Sequence, residues 1–139
     1  EFQKSTSIVA KASTLVAASH DNYVMSIITT DATVTEALLA AGNRVEIENN
    51  STVMYEVHVV GSNDTHKYGV RLKGIADNTN GTVSLIGSPS RETITDNEYA
   101  WTANVEADQA NSSLRITVKG IESTNVNWTV FVEINAVKR

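Results

Sequence analysis

Three histidines, His20, His58 and His66, are the side chains in this 139-residue chain best suited to proton transfer or metal binding. Their spacing fits no metal-binding motif. His66 with Asp64 offers two ligands in one loop with no third nearby, too few for a zinc centre. Asp96, Asn97 and Glu98 could offer oxygens to calcium, a cation that takes roughly six to eight of them. A solvated turn before a strand is the preferred reading of that triplet, and no metal or cofactor is expected. There is no Gly-rich phosphate loop, no Gly-x-Ser-x-Gly elbow and no His-Glu-x-x-His helix, and no pair of carboxylates stands out for acid and base roles. The chain therefore reads as non-enzymatic. Trp101 and Trp128, with Tyr23, Tyr55, Tyr68 and Tyr99, could stack on sugars, but both tryptophans lie in phase with aliphatic neighbours and are expected in the core. Polar loop groups are left as the contacts for a ligand or receptor: Asn63, Asp64, His66, Asp96 and Asn97.

The elements that must hold these residues are strands. From Tyr99 to Ala136 apolar and polar residues alternate, with Trp101, Ala103 and Val105, then Leu114, Ile116 and Val118, then Trp128, Val130, Val132 and Ile134 each on one side. A period of two marks a strand with one face on a core. The intervening turns are too short for crossover helices, so these strands are expected to pair antiparallel with their neighbours. Val45 and Ile47 lead through Asn49-Asn50-Ser51 into Val53, Tyr55, Val57 and Val59, which reads as a hairpin. Residues 22–30, with Tyr23, Met25 and Ile27 against Val24, Ser26 and Ile28, read as apolar on both sides, like a strand buried on both faces. Thr33 to Ala41 reads as a short helix or turn. Asp77 to Gly81 is the strongest turn signal, and Pro89 is expected to end the strand that follows it. His58 falls opposite Tyr55, Val57 and Val59 and is expected in solvent.

Eight or nine short strands with turns every eight to twelve residues predict an all-β, antiparallel, jelly-roll-like β-sandwich over residues 21–139. Residues 1–20, rich in small and β-branched side chains, read as an N-terminal arm or short helix serving assembly. A chain of this length buries roughly 68% of its unfolded surface and needs no staple. Without cysteine it has no disulfides, thiolate chemistry or cysteine-bound zinc. A net charge of −5, with Lys138-Arg139 the only adjacent basic pair, argues against a nucleic-acid partner. No apolar run approaches the ~20 residues of a membrane-spanning helix, so membrane insertion is not expected.

The order of motifs carries a resemblance. Thr29 to Thr35, Glu48 to Val53 running into Val57 to Gly61, and Tyr68 to Gly74 resemble a β-rich module of tail-fibre and related virion proteins of tailed bacteriophages. Gly81 to Pro89, Ala100 to Asp108, Asn111 to Gly120 and Asn127 to Val132 resemble its later stretches in register. The resemblance spans residues 22 to 137, with departures at Glu36 to Gly42 and at Asn127, where the module usually carries Arg. It implies a structural domain on the outside of a virion that forms a homo-oligomer, a trimer in many such modules, and meets other virion proteins or a host-surface glycan. A carbohydrate-binding β-sandwich module is the alternative. Val60, Ile75 and Phe131, on the second face of their strands, are expected to meet a subunit.

Overall fold

The computed structural model describes residues 5–11, 14–96 and 100–139, and these form an all-β, antiparallel sandwich with two unclosed sheets. Ten strands are present among them: β1 (Ser5–Lys11), β2 (Thr14–Thr29), β3 (Thr35–Glu36), β4 (Val45–Glu46), β5 (Ser51–Ser62), β6 (Lys67–Thr79), β7 (Thr82–Asp96), β8 (Thr102–Asp108), β9 (Ser113–Lys119) and β10 (Val126–Lys138). The larger sheet has the order β1-β2-β10-β5-β6-β7. In the smaller one β9 is central, with β8 on one side and the two-residue strands β3 and β4 on the other. Between β3 and β4 the chain leaves the sheet through a 3-10 turn at Ala40–Gly42. Arg44 closes this excursion by donating from Nε and Nη2 to the Glu36 carboxylate at 3.0 and 3.4 Å.

Alternation decides which side chains lie between the sheets. Met25, Tyr55, Val57, Val59, Val70, Leu72, Val130 and Val132 from the large sheet meet Trp101, Ala103, Val105, Leu114, Ile116 and Val118 from the small one in a single buried cluster. Both tryptophans are 1% exposed, and their ring centroids are 5.8 Å apart. The Trp128 Nε1–H donates to Thr29 Oγ1 at 2.9 Å, so the indole is buried without an orphaned donor. Gly61 is required beside it, because a Cβ there would lie 2.7 Å from Trp128 Cζ3.

Several local expectations are corrected. The residues after Val45 do not form a hairpin: β4 pairs with β9 in the small sheet, whereas β5 pairs with β10 and β6 in the large one. Asn49-Asn50 is thus a corner between sheets, with Asn50 in the left-handed region at φ 57° and Asn49 Oδ1 accepting from the Gly81 N–H at 2.9 Å. The last three strands do not make one sheet either, since β10 crosses over to lie between β2 and β5. Pro89 does not end its strand. It sits inside β7, an edge strand, where the register against β6 shifts between Lys73 and Ile75 and no ladder N–H is needed. Strands of 12 to 16 residues in the large sheet replace the short ones expected. The Asp77 to Gly81 turn is as expected: Asn80 and Gly81 take φ of 53° and 86°, the two positive values of a type I′ hairpin turn. Residues 5–11 and 14–20 are extended and pair as β1 and β2, so the helical reading of the arm is not observed.

Strand β2 is apolar on both sides but covered on one. Met25 is buried between the sheets while Val24 and Ile28 are 58% and 62% exposed. The strand register makes the surface they belong to continuous. Across the outer face of the large sheet, Val24, Phe131, His58, Arg71 and Glu92 form one row, and His20, Asn135, Met54, Ile75 and Ile86 form another.

Candidate functional site

The β5–β6 loop carries three of the residues expected to contact a ligand. Asn63 Oδ1 accepts from the N–H groups of Thr65 and His66 at 2.9 and 2.8 Å and from Thr65 Oγ1 at 3.1 Å. Its Nδ2 donates to the Asn125 carbonyl of the β9–β10 loop at 3.4 Å. The amide is therefore committed to shaping the loop and holding it against its neighbour. His66 packs its ring edge-on to Trp101 with centroids 6.1 Å apart, and Thr65 Oγ1 lies 2.9 Å from its Nδ1. Asp64 stands exposed at the loop tip.

The backbone of Asp96 pairs with that of Tyr68, so β7 ends beside this loop. Asn97 lies outside the described residues, as do Glu98 and Tyr99 of the sequence reading. Asn63, Asp64 and Thr65 face Ser123, Thr124, Asn125 and Asn127 across a polar depression of about 370 Å³. Hydroxyls, amides and one carboxylate line it, donors and acceptors suited to a polyhydroxyl surface. Among the described residues no three His, Cys, Asp or Glu side chains come together as a metal site.

A second feature is larger and was only partly visible in the sequence. Val24, Ile28, Met54, Val60, Ile86, Phe131 and Val137 of the outer face are each at least 42% exposed, and Ile94 stands beside Gly69 on the same side at 60%. Val60 and Phe131 are where the sequence placed a subunit contact, whereas Ile75 is only half-exposed.

Charge crosses the middle of this apolar field. His58 Nε2 lies 2.6 Å from Glu56 Oε2, and Arg71 pairs with Glu56 at 3.3 Å and Glu92 at 3.1 Å. The hydrogen bond from His58, with the charges of His58, Arg71 and Lys73, holds the Glu56 carboxyl below its usual range against a smaller opposing effect of burial. Acidic Glu133 and Glu56 stand on β10 and β5, and basic Lys67, Arg71 and Lys73 on β6. Glu92 on β7 and Asp77 on β6 complete a face of mixed charge whose central ions pair with one another. The sequence signal for it was the apolar residues left over on the polar phase of β2, β5, β7 and β10.

No family model matches the chain, and no curated protein does. Among solved structures it is similar to a tailspike protein, gp49 of the Acinetobacter baumannii bacteriophage Fri1, a capsular polysaccharide depolymerase. The identity is 14% and the TM-score 0.44, over 96% of this chain and 19% of that one, so the chain spans about a fifth of that protein's length.

Proposed function

We propose that this chain is a non-enzymatic structural domain of a bacteriophage virion, of tail-fibre type, that assembles as a homotrimer on the outside of the particle. The observation that carries the assembly reading is the exposed apolar face of the large sheet. Five strands about 4.8 Å apart and roughly a dozen residues long present ~800 Å², the area one partner contributes to a standard interface. A head-to-tail contact that closes into a ring would cover this face in every copy of a trimer. The phage assignment rests on the ordered sequence resemblance. Residues 1–20 act as the arm of the assembly, and of these 5–11 and 14–20 pair as β1 and the start of β2, with β2 next to β10.

Immunogold electron microscopy of virions whose genome encodes the chain tests this reading: external label supports it, and label nowhere on the particle sinks it. A second reading, a carbohydrate-binding module on the host-attachment side, is favoured by the polar depression between the β5–β6 and β9–β10 loops. A glycan array discriminates between them, because Asp64→Ala should abolish a loop-borne signal that Phe131→Ala leaves intact. Release of reducing ends from capsular polysaccharide would contradict the non-enzymatic assignment.

A further inference from the structure

Three loops meet at one residue at the end of the sandwich. The β6–β7 turn has its tip at Asn80-Gly81, the one Asn-Gly pair in the chain. The Gly81 N–H donates to Asn49 Oδ1 of the β4–β5 corner at 2.9 Å, and the Gly81 carbonyl accepts from Ser112 Oγ of the β8–β9 turn at 3.4 Å. The Ile47 N–H donates to the Ser112 carbonyl at 2.9 Å, which joins the corner to that turn as well. Asn50, Asn80, Gly81 and Ser112 all take positive φ, between 51° and 86°, so each loop turns sharply at the junction.

An asparagine followed by glycine can react with its own backbone. The nitrogen of the following residue attacks the asparagine Cγ, and glycine hinders this least because it has no side chain. Nothing crowds the attack here: both residues are exposed, and a Cβ on Gly81 would meet no atom within 4 Å. Two features of the fold oppose it. A type I′ turn sets ψ of its first central residue at about +30°, which turns the Gly81 nitrogen away from Asn80 Cγ, and the flanking Thr79–Thr82 pair of the ladder keeps the turn closed. The Gly81 proton, which must leave before the nitrogen can attack, is held by Asn49 Oδ1.

We infer that Asn80 is a site of slow spontaneous deamidation and that Asn49 is the residue that restrains it. When the turn opens, the Gly81 nitrogen gives its proton to a base in solvent and bonds to Asn80 Cγ. The Asn80 side-chain nitrogen leaves as ammonia, and a cyclic imide remains. Water then adds to either imide carbonyl and reopens the ring, giving aspartate or isoaspartate at position 80 and restoring the Gly81 N–H. Either product adds one negative charge to the −5 of the chain. Isoaspartate also routes the main chain through the residue-80 Cβ, which lengthens the turn and moves Gly81 away from Asn49 and Ser112. The modification therefore acts on the junction of all three loops. Neither the trimer nor the loop-borne sugar site is required for it.

Peptide mapping by mass spectrometry tests the site on the full folded chain aged in mildly alkaline buffer, with isoaspartyl methyltransferase used to count isoaspartate. Conversion of Asn80 is expected ahead of every other asparagine, with both products present and heavy oxygen taken up from labelled water. Asn49→Ala, at an exposed position, should speed the conversion about fivefold through the loss of one hydrogen bond. Asn49→Asp keeps an oxygen facing the Gly81 N–H and should stay within about twofold of the parent. Amide exchange at Gly81 should rise in Asn49→Ala while exchange in β5 is unchanged, which separates opening of the turn from general unfolding. Faster conversion of another asparagine, no conversion of Asn80 in Asn49→Ala, or equal rates in Asn49→Ala and the parent would overturn the inference.

Discussion

Trp101 and Trp128 are equally buried, yet their polar atoms are treated differently. The Trp128 indole N–H is satisfied by Thr29, whereas the Trp101 Nε1 is buried with no hydrogen-bond partner. Truncation of either ring to Ala should cost about 3–5 kcal/mol through the cavity it leaves. Replacement by Phe should separate them: Trp128→Phe orphans Thr29 Oγ1, while Trp101→Phe removes an unpaired donor, so urea denaturation should show Trp101→Phe as the milder change. Alternation alone placed both rings in the core. It said nothing of their N–H groups, because the partner of Trp128 is 99 residues away.

Asp77 gives the residue-scale prediction for pH. Hydrogen bonds from Thr79, Thr52 and Arg139, with the Arg139 charge, hold its carboxyl at about 2 from an ordinary 3.8. A carboxyl lowered on folding stabilises above its unfolded pKa, and that contribution fades as pH falls from about 4 towards 2. Melting temperature measured across that window should therefore fall less steeply in Asp77→Asn than in the parent.

At the scale of elements, Arg91 helps to stitch the open flank between the sheets. Arg91 of β7 donates from Nη2 to the Ala103 carbonyl at 2.7 Å and to Asn104 Oδ1 at 2.8 Å, tying the edge of the large sheet to β8. Arg91→Met should lower stability by about 1 kcal/mol, the modest figure being set by the solvent exposure of the arginine. It should also speed amide exchange in β8 more than in β5.

Strand phase was legible along most of the chain because one face of each strand is buried. Sheet membership was not. Val45 and Val53 obey the same alternation although they belong to different sheets, and nothing local distinguishes an Asn-rich corner from an Asn-rich hairpin. Pro89 misled for a similar reason, since proline ends an interior strand but is tolerated at an edge bulge. Of the expected ligand residues, Asn63, Asp64 and His66 do share one loop, yet Asn63 and His66 also have structural partners there.

For the whole molecule, the apolar outer face is the feature the isolated chain leaves unexplained. Large exposed apolar patches mark association surfaces, and this one joins strands contributed by both halves of the sequence. Phe131 and Val60 are both exposed on it, so Phe131→Lys or Val60→Lys should weaken assembly without disturbing the sandwich. Light scattering of the purified chain, coupled to size-exclusion chromatography, tests the account most directly. It predicts a mass three times the 15.0 kDa chain, collapsing to one chain in Phe131→Lys with an unchanged far-ultraviolet circular dichroism spectrum. A parent protein that stays a 15.0 kDa monomer at micromolar concentration, or a Phe131→Lys variant that stays trimeric, would contradict it.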